Sequence, residues 1–367
     1  MKKITSLLAA SLMLFSCSGT KESADDSTAA TADSVAPSAR LAARLDSAVA
    51  QGRYFFGHHD DTAYGNGWKY VKGNSDVKAV TGQYPGLMSW DLGLIEVDST
   101  KNLDGVPFEF IASEAADHDA RGGVNAISWH VLNPITGGSS WDVSAAPLPL
   151  MADNPAVRDT LVAWIDRAAD FIGSLKDKEG NPLPVIFRPW HENSGSWFWW
   201  GSDHSSPEEY IALWKLTRER FDAKGVDNVL WAYSPDKDLT REQYFATYPG
   251  DEYVDILGTD IYAFDGADGE EQFRSRISNQ LPYVCDEARK RGKIAAFTET
   301  GLEGLEVTDW YTRVLEPAIK DLPIAYVCVW RNGTHDRPQH FYVPYPGHKG
   351  ADDFKKFHDN SNAIFVE

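Results

Sequence analysis

Cysteine is scarce in this chain. Three stand in 367 residues, at positions 17, 285 and 328, with no CxxC pair among them. A disulfide framework is therefore excluded as the source of stability. Cys328 falls in an apolar strand-like run, which fits two buried thiols at 285 and 328 better than one bridge. Positive charge is also short: 35 Lys and Arg face 54 Asp and Glu, for a formal charge of −19. Nucleic-acid binding needs a basic patch that neutralises phosphates, and charge-driven adhesion to an anionic membrane needs the same, so both are excluded. Several catalytic signatures are missing. No GxGxxG follows the first strand-like run, and no GxSxG is present. HExxH fails because Gly195 stands where its second His belongs.

No apolar run is long enough to span a bilayer as a helix. The N-terminal run, Leu7 to Phe15, is too short and follows Lys2 and Lys3. That pattern is a secretion signal, and Leu14-Phe15-Ser16-Cys17 resembles a lipobox. Residues 1–16 are expected to be a lipoprotein signal peptide, removed ahead of Cys17, which would carry the lipid. Residues 17–37 are rich in Ser, Ala, Thr, Asp, Glu and Lys without an aromatic residue, the composition of a solvated tether. Lys21-Glu22 with Asp25 and Asp26 loosely resembles the acidic export signals of Bacteroidota surface lipoproteins. The expectation is an exported outer-membrane lipoprotein of a Gram-negative bacterium, touching the membrane only through its N-terminal lipid. The periplasmic and cell-surface faces both stay open.

What the chain has in quantity is tryptophan, 13 residues within 12% aromatics. Many flat apolar faces suit a ligand with flat apolar faces, and sugars are the commonest such ligand. A Trp-rich core is the competing reading.

Pro37 to Ala50 carries Leu41, Leu45, Ala48 and Val49 at helical spacing. Eight apolar runs then alternate with amphipathic segments: 54–57, 86–90, 125–130, 185–190, 229–233, 254–258, 293–298 and 325–330. Asn154-Pro155 opens a helix with Val157, Leu161, Trp164, Ala168 and Phe171 on one face. Ser206-Pro207-Glu208-Glu209 reads as a capping box ahead of Tyr210, Trp214, Thr217 and Phe221. Further helices are expected near 270–291 and 308–320. Eight near-continuous apolar strands between helices imply a parallel sheet buried on both faces, and closure into a (β/α)8 TIM barrel is the economical topology. Residues 38–367 are read as one such catalytic domain, acting as a monomer.

Active sites of these barrels lie at the C-terminal ends of the strands. Here those ends read His58-His59-Asp60-Asp61, Trp90-Asp91, Trp129-His130, His191-Glu192, Ser234-Pro235-Asp236, Asp260-Ile261-Tyr262, Glu299 and Trp330-Arg331. Glu192 and Glu299 form a carboxylate pair on strands 4 and 7. Glycoside hydrolysis needs two carboxyl groups flanking the scissile bond, roughly 5–5.5 Å apart in retaining enzymes. His58-His59 is read as barrel packing or sugar contact ahead of metal ligation. Arg188 is either an ion-pair partner inside the barrel or a support for the ionised carboxylate. Of Trp197, Trp199 and Trp200, at least one is expected in the core.

The segment from Phe187 to Gly201, FRPWHENSGSWFWWG, closely resembles the signature of glycoside hydrolase family 26, the β-mannanases. Gly57 to Gly65, Ser128-Trp129-His130, Gly258 to Tyr262 and Phe297 to Gly301 are similar to other segments of that family, over roughly residues 40 to 350. The family pattern has Asn where Ser194 stands. The resemblance implies a retaining glycosidase acting on β-1,4-mannan, galactomannan or glucomannan, endo-acting or releasing mannobiose. The alternative is the same mechanism on another β-glycan, since members of the family also cleave β-1,3-xylan or mixed-linkage glucan; a non-catalytic glycan-binding lipoprotein is the reading from another class. By resemblance Glu192 is the acid/base and Glu299 the nucleophile, contacted by Tyr262. His130 and His191 bind sugar at the cleavage site, and Trp330 forms its floor. Arg331 reaches the next sugar toward the non-reducing end, and Trp197 borders the leaving-group side. No cofactor or metal motif is visible, and the mechanism needs none. The loops 57–75, 91–106 and 133–153 decide whether one end of the groove is blocked.

Overall fold

Eight parallel strands close on themselves in the computed structural model, which describes residues 35–264 and 266–367. The expected signal peptide, Cys17 and the expected tether through residue 34 lie outside the described residues. The strands are β1 (Tyr54–His59), β2 (Leu87–Asp91), β3 (Val124–Ser128), β4 (Val185–Arg188), β5 (Val229–Tyr233), β6 (Ile256–Ala263), β7 (Ile294–Leu302) and β8 (Tyr326–Val329). Parallel pairing of β8 with β1, Gly57 opposite Cys328, completes the ring. Every residue of β1, β2, β3 and β7 is buried, as expected of strands with the barrel interior on one side and helices on the other. The residues from Ala36 to Glu367 form one compact unit. Among the described residues no helix is long and apolar enough to cross a membrane.

Helix α1 (Pro37–Ala50) closes the floor. Its Leu41, Leu45 and Ala48 pack with residues at the N-terminal ends of the strands, including Phe55, Leu87, Val124 and Ile294. Five further helices of ten or more residues follow among the described residues: α2 (Phe108–Ala120), α3 (Pro155–Ser174), α4 (Pro207–Ala223), α5 (Gly266–Arg291) and α6 (Ala351–Asn360). A C-terminal strand, β9 (Ala363–Val366), adds to β1 beside this floor.

The expected start signals operate. Asn154 accepts from Ala156 N at 3.1 Å. Ser206 and Glu209 cap each other reciprocally at 3.2 and 2.8 Å, a device worth about 1 kcal/mol. Three expectations change. The buried stripe of α3 is Val157, Leu161, Ile165, Ala168, Ala169 and Ile172, so Trp164 and Phe171 lie at its edge, half-buried. The helix expected over 308–320 is a π turn, Tyr311–Leu315, followed by Glu316–Ile319. Pro317 has no N–H for the carbonyl of Arg313, which accepts from Arg274 at 3.3 Å instead. The last strands also run further than their apolar cores suggested, β6 to Ala263 and β7 to Leu302. Cys285 and Cys328 are two free, buried thiols, and burial pushes the Cys285 thiol up to about 12.

Candidate active site

Alternation along each strand decides which side chains reach the mouth of the barrel. Asp91, His130 and His191 point inward, so the Trp preceding each points out to the helices. Trp90, Trp129 and Trp190 are accordingly fully buried. Trp129, although it stands in the strand-end pair Trp129-His130, packs on Trp190 with centroids 5.3 Å apart and donates to Glu96 at 3.0 Å. Trp199 and Trp200 are also core.

Glu192 follows β4 on a strained loop. Both Trp190 and Glu192 have φ near +53°, the left-handed region that costs a non-glycine residue about 1–3 kcal/mol. The backbone is held there by Glu192 N donating to Ser234 O at 2.8 Å and by Tyr210 donating to Trp190 O at 2.8 Å. The Glu192 carboxyl accepts from Trp197 Nε1 at 2.6 Å. Burial pushes its pKa well up, and the charges of Glu299, Asp260 and Asp236 add to that. Ser194 fills the place of the family's Asn by accepting from Asp236 N at 2.9 Å.

Glu299 is placed by an irregularity in β7. Phe297 pairs with Thr259 and Glu299 with Asp260, leaving Thr298 as an extra residue. Such a bulge bends the strand and re-aims the next side chain. Thr298 is anchored by donating to Asp260 at 2.6 Å, and it lies so close to Gly258 that a Cβ there would sit 2.3 Å from it. Tyr262 donates to Glu299 at 2.5 Å, and Arg188 donates to its other oxygen. Arg188 also donates to Asp260 at 2.7 Å and Ser234 at 3.2 Å. Burial opposes its charge, yet Asp260 and Glu299 hold the guanidinium above its ordinary pKa. Arg188 is thus an interior ion-pair partner that also touches Glu299.

The remaining residues surround this pair. Trp330 stacks on His59 at 4.1 Å and meets His130 edge-on at 6.0 Å. His130 and His191 face each other, Nε2 to Nε2, at 3.2 Å. Arg331 pairs with Asp104 at 3.1 Å and Asp336 at 2.9 Å, and donates to Tyr64 at 3.3 Å. His59, Asp60 and Asp104 bring ligand atoms within 4.8 Å of one another. Arg331 already faces Asp104, and Tyr64 donates to Asp60 at 2.5 Å. His59 Nε2 and Asp60 Oδ1 are buried with no hydrogen-bond partner among the described residues, although His59 Nε2 lies 3.7 Å from Asp60 Oδ2. Donors and acceptors so mixed suit hydroxyl groups better than a cation. Sequence reasoning missed Asp104 and Trp141, both on loops. Trp141 is 49% exposed and stacks over His130 at 5.2 Å.

Comparison with known proteins decides the family. The family model described as Glycosyl hydrolase family 26 matches residues 43–300. The chain belongs to glycosyl hydrolase family 26. A GH26 beta-mannanase structure from Bacteroides ovatus is 46% identical to this family 26 chain, with a TM-score of 0.86 over 90% of this chain and 95% of that one. A modular endo-beta-1,4-mannanase from Cellulomonas fimi is 34% identical, with a TM-score of 0.80 over 91% and 76%. Among curated relatives, a mannan endo-1,4-beta-mannosidase of Bifidobacterium adolescentis is 34% identical across 79% of this chain, which spans only 31% of that protein's length. A Bacillus subtilis mannan endo-1,4-beta-mannosidase is 29% identical across 71% of each.

Proposed function

We propose that this protein hydrolyses β-1,4-mannan chains by double displacement, with Glu299 as nucleophile and Glu192 as acid/base. The observation that carries the reading is the unequal surroundings of two carboxyl groups at one barrel mouth. Glu299 accepts hydrogen bonds from a guanidinium and a phenol, which fix its two oxygens for attack. Burial, with the negative charge of Glu299, Asp260 and Asp236, raises the pKa of Glu192, the direction an acid that must deliver a proton near neutral pH requires. Its proton passes to the glycosidic oxygen as Glu299 attacks the anomeric carbon. Glu192 then takes a proton from the water that releases the sugar. Trp330 supplies the floor and His130 and His191 the polar contacts to the sugar at the cleaved bond. Trp197 borders the leaving group. Residues 1–16 and Cys17 support export as an outer-membrane lipoprotein.

Loop contacts support mannobiose as the main product. Arg331 ties the loops after β1, β2 and β8 together through Tyr64, Asp104 and Asp336, and His335 packs on Tyr64 at 4.6 Å. We infer that these ties leave room for one sugar beyond the one over Trp330, on the Arg331 and Asp104 side. A chromatographic time course on mannohexaose should show mannobiose from the first minutes, and a panel should show mannan cleaved in preference to β-1,3-xylan and mixed-linkage glucan. An early ladder of products would reject the closed end, and a preference for another glycan would reject the substrate. Trp141→Ala should raise KM for mannohexaose by about tenfold, since stacking on an aromatic face is worth roughly 1–1.5 kcal/mol, with kcat held within about threefold.

A further inference from the structure

Asp91 is the last residue of β2, buried to 0% exposure, and it holds more hydrogen bonds than a bystander at the mouth needs. One oxygen accepts from Gly93 N at 2.6 Å and His130 N at 3.3 Å. The other accepts from Ser128 Oγ at 2.8 Å and meets His130 Nδ1 at 2.7 Å. The far side of the same ring, His130 Nε2, meets His191 Nε2 at 3.2 Å. His191 Nδ1 is buried with no partner among the described residues.

A carboxylate on His130 Nδ1 fixes a proton there. Only one further proton fits between the two Nε2 atoms, so two arrangements compete. In one, His130 is neutral, His191 donates from Nε2, and His191 Nδ1 is an acceptor. In the other, His130 is an imidazolium donating from Nε2, and His191 is neutral with its proton on Nδ1. The groups around the two rings choose between them. Asp91 on β2, Asp104 beyond it and Glu299 on β7 favour a positive His130, against the cost of burial. Burial first, then Arg188 on β4, His130 and His59 on β1, keep His191 neutral.

We propose that Asp91 is a positioning residue that, through a charged His130, turns His191 into a hydrogen-bond donor at Nδ1 for a sugar hydroxyl. Asp91 itself touches no sugar in this arrangement. It sets the sign of a contact two rings away, as an outer carboxylate sets the tautomer of a histidine in other sites. The proposal rests on the reading of this mouth as a sugar site, but its first test does not.

Nitrogen NMR of the imidazoles in the intact protein at pH 7 reads the arrangement without any substrate. The wild type should show a doubly protonated His130 and a His191 protonated on Nδ1 alone. Asp91→Asn should show a neutral His130, with the His191 proton moved to Nε2. The same variant should lose about ten- to hundredfold in kcat/KM on manno-oligosaccharides, a range typical of outer-shell partners. Ser128→Ala, which removes one donor to Asp91 and keeps the carboxylate, should leave both tautomers as in the wild type. A wild-type His191 already protonated on Nε2, or tautomers unmoved in Asp91→Asn, would overturn the proposal. Wild-type inactivity on every glycan, with the tautomers as described, would instead remove the functional reading alone.

Discussion

Glu299→Ala and Glu192→Gln are each expected to lower mannan hydrolysis by at least about a thousandfold, the scale on which loss of a covalent or proton-transferring group is felt. The two losses should differ in kind. With Glu299 removed there is no nucleophile, so a mannobioside with an activated aryl leaving group is no better a substrate than mannan. With Glu192→Gln the leaving group of that substrate departs unaided, so a burst of phenol should precede a slow second step. The pH profile separates them further. The raised pKa of Glu192 means that the wild type loses its proton donor as pH climbs, giving an alkaline limb. Glu192→Gln with the aryl substrate should lack the limb due to that group. Circular dichroism melts near wild type in both variants would show that chemistry, not folding, was lost. Full mannan activity in either would sink the assignment of both roles.

Arg188→Met should act on stability as well as rate. Arg188 is 4% exposed and neutralises two buried carboxylates, Asp260 and Glu299. Removing one member of a buried ionic cluster leaves uncompensated charge in a poor solvent for it, at a cost of about 3–5 kcal/mol. In a domain of this size that lowers Tm by roughly 5–15 °C. Arg188→Lys restores the charge but not the planar fork that reaches Asp260, Ser234 and Glu299 together, so it should recover part of the melt and little of the rate. A melt within about 2 °C of wild type for Arg188→Met would show that solvent reaches this interior far better than its burial implies.

Much of the barrel was readable because strands buried on both faces leave an unbroken apolar run, and each of the eight runs overlaps a strand. Glu192 and Glu299 were readable because strand ends are where such barrels do chemistry. Direction was harder. Trp129 and His130 are neighbours in the chain, yet one lines the helices and the other the mouth, and only the register of β3 decides which. Pairings across long separations were out of reach. Asp91 and His130 are 39 residues apart, and Arg188 and Glu299 are 111 apart. The Thr298 bulge leaves no mark either, because an extra residue in a strand looks like any other residue. Trp141 and Asp104 sit on loops whose path no periodicity describes. Of the tryptophans, Trp90, Trp129, Trp190, Trp199, Trp200, Trp214, Trp231 and Trp310 proved to be core, while Trp141, Trp197 and Trp330 stand at the mouth.

Helix α1 sits under the strands at the end opposite Glu192 and Glu299. A support, bead or carrier joined directly to Pro37 would therefore meet the floor and leave the mouth in open solvent. A polymer far larger than the enzyme can then present a free end to the groove without first passing the attachment point. Immobilising the domain through its N-terminus should therefore preserve its action on long chains, where a linkage through a loop such as that of Trp141 would stand in the polymer's way.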